Sequence, residues 1–157
     1  MRARLLALAL ATIAGLTIFA STGASAQGIQ LFAVLNGGSE CVPTGTCRMG
    51  DLSADAFGAA AFIFPTGNKV CYAIVVNGLA GATAAHIHRG TAGVKGDIVV
   101  TLKAPSAPSA GDPGASSGCA TPVSTTIVGQ IKGNPSGFYI NVHNVGFPDG
   151  AIRGQLF

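Results

Sequence analysis

Tyr139-Ile140-Asn141-Val142-His143-Asn144 runs through Phe147-Pro148-Asp149-Gly150 into Ala151-Ile152-Arg153-Gly154-Gln155-Leu156-Phe157. Apolar and polar residues alternate on both sides of a Pro-Asp-Gly turn, the signature of an antiparallel hairpin with one buried face. Strand parity puts Tyr139, Asn141 and His143 on one face, and Ala151, Arg153 and Gln155 on one face. The register of the hairpin decides whether those two polar faces coincide.

The same grammar extends back along the chain. Ile29 to Leu35 reads as a first strand stopped by Asn36-Gly37, and Ala56 to Phe64 as a second, turned by Pro65-Thr66-Gly67-Asn68. Lys69 to Val76 is a third, ending at Asn77-Gly78, and the β-branched run Ile98 to Leu102 has the pattern of a strand buried on both faces. One helix is expected, with Ser124 as its cap, Ile127, Val128 and Ile131 on its apolar face, and Gly133-Asn134-Pro135 as its stop. Ala104 to Ser117, rich in Ala, Pro, Ser and Gly, reads as a flexible surface loop. No internal repeat is evident. The expected fold is all-β, an antiparallel Greek-key-like sandwich or barrel with one short helix and two disulfides.

Residues 1–26 read as a cleaved signal peptide. Arg2 and Arg4 precede the apolar run Leu5 to Ala20, and Gly23-Ala24-Ser25-Ala26 supplies the small residues a signal peptidase accepts. The run is short for a bilayer span, so the expectation is a secreted or periplasmic protein with no membrane span after cleavage. Removing 26 of 157 residues leaves 131, residues 27–157, enough for one domain. Seven Lys and Arg then face six Asp and Glu, a net charge of +1, with no basic run; nucleic acid is not an expected partner. The four cysteines allow three pairings. Cys41 and Cys47 flank one short loop, so Cys41–Cys47 and Cys71–Cys119 is the natural set for an oxidising compartment.

The chemistry is concentrated in the three histidines, all within Ala85-His86-Ile87-His88-Arg89-Gly90 and Tyr139 to Asn144. On a strand His86 and His88 share a face, and His143 can join them. Imidazole suits copper and zinc, so His86, His88 and His143 are candidate ligands for one ion, with Asn141 and Arg153 beside them as supporting or anion-binding groups. Two other readings stay open: a buried polar network that locks one end of the barrel, or independent surface side chains. No serine has the partners of a hydrolase triad, and no glycine pattern cradles a phosphate. Asp149 reads as a turn former and Tyr72 as a packed core residue.

Taken together, Cys71 to Leu79, Ala84 to Gly90, Ala92 to Gly96, Asn134 to His143 and Gly150 to Leu156 resemble the CHRD domain. That module is named for its repeats in chordin and occurs singly in exported bacterial proteins. The resemblance covers about Leu31 to Phe157 and departs from the family at Ser39-Glu40-Cys41-Val42-Pro43, where members often carry an Asn-Glu-Val-Pro-Pro-like stretch. It implies an all-β module acting by binding, as chordin binds growth factors, toward a protein or matrix partner outside the cytoplasm. A second resemblance is to copper-zinc superoxide dismutases, which place His-x-His on one strand, a third copper ligand on a late strand and an arginine near the C-terminus. His86, His88, His143 and Arg153 follow that order, with too few histidines for a dinuclear site. The leading expectation is therefore a non-catalytic binding module holding at most one copper or zinc ion. A mononuclear-copper oxidoreductase or a periplasmic copper-binding protein is the alternative.

Overall fold

The computed structural model describes residues 28–40, 56–107 and 112–157. The strands are β1 (Ile29–Asn36), β2 (Phe57–Phe64), β3 (Val70–Asn77), β4 (Ala82–Arg89), β5 (Ile98–Leu102), β6 (Gly114–Ala120), β7 (Phe138–Asn144) and β8 (Ile152–Gln155). They form one antiparallel sheet in the order β5-β4-β7-β8-β1-β2-β3-β6. An antiparallel bridge between Ser106 and Ala115 joins the chain after edge strand β5 to the other edge strand, so the sheet is a nearly closed barrel.

Alternation fills the barrel. Leu31, Ala33 and Leu35 from β1 meet Phe62 and Phe64 from β2, Ile74 and Val76 from β3, and Ile140 and Val142 from β7. The helix α1 (Thr125–Gly133) buries Val128 and Ile131, with Ile127 partly covered, as its periodicity requires. Ser124 occupies the N-cap position without a side-chain capping bond; only its carbonyl is used, by Val128 N–H.

Two expectations are corrected. Ala104 to Ser117 is not a loop throughout: Gly114 to Ala120 is strand β6, paired along β3 from Val76–Gly114 to Val70–Ala120. Its small residues have little strand propensity of their own, and the pairing with β3 decides the conformation. β5 is not buried on both faces either. It is an edge strand with Val100 and Leu102 inward and Ile98 and Thr101 exposed. The Cys71–Cys119 disulfide is present, with its residues directly opposed across β3 and β6. Cys41–Cys47 and the 1–26 leader lie outside the described residues. Among those residues no helix is long and apolar enough to cross a membrane.

Candidate metal centre

Every residue of β7 is buried, which a strand with one solvent face would not show. Phe138, Ile140 and Val142 point into the barrel, so Tyr139, Asn141 and His143 point out of it. Three segments cover that outer face: the β4–β5 connection (90–97), the β7–β8 connection (145–151) and the 3-10 turn Gly37–Glu40. The site lies between sheet and cover.

The registers bring the polar faces together. His86 stands opposite Asn141, Asn141 opposite Arg153, and Arg153 opposite Asn36, making one row across four strands. In adjoining rows His88 opposes Tyr139 and His143 opposes Ala84. A ladder irregularity between Ile87 and His88 lies on the β5 side; such bulges re-aim a strand next to a site. His86, His88, His143, Asn141 and Arg153 thus share one face, as strand parity allowed.

The three histidines each offer one ring nitrogen, all within 4.8 Å of one another. His88 Nδ1 donates to the Gly96 carbonyl at 2.8 Å, and His143 Nδ1 to the Pro148 carbonyl at 3.0 Å. Each bond leaves Nε2 as the lone-pair nitrogen. His143 Nε2 accepts a hydrogen bond from His86 Nδ1–H at 3.0 Å. His88 Nε2 is buried and, among the described residues, has no hydrogen-bond partner. Gly96 must be glycine, since a Cβ there would collide with the Arg89 carbonyl.

Burial favours the neutral rings. It pushes His86 down to about 4, helped by the neighbouring His143 and His88, and it lowers His88 and His143 from their usual value against the pull of their carbonyl bonds. Neutral imidazole is the form that binds a metal. The Tyr139 ring stacks on His88 with centroids 4.8 Å apart, and the Arg153 guanidinium lies 3.3 Å from the Tyr139 centroid. Arg153 is only 2% exposed and donates to the Thr91 carbonyl at 2.8 Å.

Residue reasoning missed Glu40, Gly96, Pro148 and the packing role of Tyr139. Tyr139 was within reach, because it shares parity with His143. The carbonyls of Gly96 and Pro148 belong to loop backbone, whose path no side-chain pattern encodes. Glu40 lies in the stretch that departs from the family pattern. Burial raises its carboxyl to about 7, opposed by Arg153, by the Asn141 hydrogen bond and by Lys95.

No curated protein and no solved structure matches the chain. The parallel with superoxide dismutases therefore stands on the order of the ligands alone. The CHRD domain model matches residues 31–156. The match enters within β1, leaves just after β8 and takes in both histidine motifs: the chain belongs to the CHRD domain family.

Proposed function

We propose that this CHRD domain is an extracytoplasmic binding module that holds one transition-metal ion through His86 Nδ1, His88 Nε2 and His143 Nε2. The observation that carries the reading is the buried, unpartnered Nε2 of His88, next to two histidines already held as neutral rings. An unsatisfied buried nitrogen is costly, and a cation would remove that cost. Backbone carbonyls behind His88 and His143 fix ring orientation as the outer partners of metal ligands do. A triad spanning 4.8 Å must close by about 1.5 Å to hold one ion tetrahedrally at metal–nitrogen lengths of roughly 2.0–2.1 Å. Loading the site also needs transfer of the His86 proton to its other nitrogen. Copper or zinc bound there would supply a Lewis-acidic centre and, for copper, one-electron chemistry.

The disposition of Arg153 supports binding over turnover. A residue that steers an anionic substrate needs free donors facing solvent, whereas Arg153 is buried against Tyr139 and Thr91. The signal-like leader supports a place outside the cytoplasm, and the family supports a protein or matrix partner.

The test is elemental analysis of protein taken from its native exported compartment, repeated on His143→Ala. Near-stoichiometric copper or zinc that vanishes in the variant supports the metal reading. No metal as isolated, and none taken up on titration, returns the three histidines to a structural network and leaves the macromolecular partner as the function.

A further inference from the structure

Away from the histidines, the outer wall of the barrel is apolar. With Leu31, Ala33 and Leu35 buried, β1 turns Phe32 and Val34 outward, and the registers continue that face through β2 and β3. Phe32 opposes Ala61 and Ala61 opposes Ala73, while Val34 opposes Ala59 and Ala59 opposes Val75. Phe157 extends the first of these rows past β1. Its backbone bonds both ways to Phe32, and the two rings lie 6.3 Å apart. Phe32, Val34, Phe57, Ile63, Val75 and Phe157 are each between 45% and 66% exposed. The three phenylalanines alone leave about 250–400 Å² uncovered, at roughly 150–250 Å² for a whole aromatic side chain. With Val34, Ile63, Val75 and the intervening alanines the apolar area reaches about 600–700 Å². The largest patch on an ordinary monomer is roughly 300–600 Å².

We propose that this face docks a second copy of the chain, sheet on sheet about a two-fold axis, to form a homodimer. Charge, size and relief select that occupant. Every outward position of β1, β2 and β3 is uncharged, so the face meets its own copy with no like charges opposed. At its margin Gln30, Asn36 and Asn77 carry amides, which donate and accept and so pair with their own kind. With that margin the face approaches the roughly 800 Å² that each partner gives to a standard interface. The relief is self-complementary. Phe32 and Val34 make a ridge along β1, and Ala59, Ala61 and Ala73 make a trough beside it. A two-fold axis sets the ridge of each copy into the trough of the other. The histidine cluster lies on β4 and β7, beyond β8 from this face, so pairing leaves it uncovered. The dimer then offers two copies of the site, and a partner with repeated epitopes is held by both.

Sedimentation velocity on protein from the exported compartment, with and without a metal chelator, reads the assembly state from about 1 to 200 µM. Wild type is expected to pass from monomer to dimer within that range in both conditions. Val34→Glu and Val75→Glu each place a charge inside the joined face, at exposed positions of two different strands. Each should raise the dimer dissociation constant about tenfold or more, with the wild-type circular dichroism spectrum retained. Should neither fold, Phe157→Ser, beyond the last strand, is read in the same way. A wild type that stays monomeric throughout overturns the inference, and binding of that monomer to lipid vesicles assigns the face to a membrane instead. A dimer that every folded variant leaves unchanged places the contact elsewhere and overturns it too. So does a dimer that the chelator dissolves, which belongs to the histidines.

Discussion

At the scale of single residues, the site sets two opposed proton equilibria against each other. His86 takes a proton near 6.5 when unfolded and only near 4 when folded. The unfolded chain therefore binds more protons between those values, and the stability this contributes is present above 6.5 and lost as pH falls. His88 and His143 act in the same direction. Glu40 acts the other way, because the fold lifts its value from 4.5 to about 7. Its contribution is present below 4.5 and lost as pH rises through 7. The melting temperature of the metal-free protein, followed by circular dichroism, should climb from about pH 4 to a maximum near pH 6.5 and then decline. Glu40→Gln should steepen the climb between about pH 4.5 and 6.5 and remove the decline that follows up to about pH 7. That His86 shares a face with His88, and Asn141 with His143, was legible in the sequence, since alternation along a strand is a local rule; that Arg153 and the two histidine motifs meet was left to the register. Glu40 was not, because what raises its carboxyl is burial under a cover built from three distant segments.

Among elements, close approach of backbones decides which substitutions the sheet accepts. Gly154 of β8 faces β1, and a Cβ there would collide with the Val34 carbonyl. Gly154→Ala must push β8 from β1 and is expected to lower stability by about 1–3 kcal/mol or more, measured by chemical denaturation. Gly129 inside α1 is the contrast, with nothing within 4 Å of the place an added methyl group would occupy. Gly129→Ala should raise stability by about 0.5–1 kcal/mol in the same measurement, through helix propensity alone. That glycine weakened the helix in the sequence, yet α1 forms because Val128 and Ile131 bury their side chains. Strands β1, β2, β3 and β7 were legible within a residue or two for the same reason, each carrying its own alternation. β6 was hidden, since Gly-Ala-Ser-Ser-Gly-Cys-Ala becomes a strand only when β3 is beside it.

For the whole molecule, the Cys71–Cys119 bond ties β3 to β6 across 48 residues of sequence. Replacing both cysteines with alanine should cost about 4 kcal/mol in the chain-entropy picture, read as a lowered denaturation midpoint. The pairing was expected from the signal-like leader and the loop between Cys41 and Cys47, but that Cys71 and Cys119 face each other across paired strands is a matter of register. Strand order was the least legible property of all, since no local pattern states which strands become neighbours. That order has a consequence for when the protein becomes a protein. β1, β2, β3 and β6 form one half of the sheet, β5, β4 and β7 the other, and β8 is inserted between them. Phe157 then bonds back to Phe32 through both its N–H and its carbonyl. The piece that joins the halves is thus made after every other strand of the sheet. Until it arrives, among the described residues the Ser106–Ala115 bridge is the backbone pairing between the two halves, and the seam that β8 fills stays open.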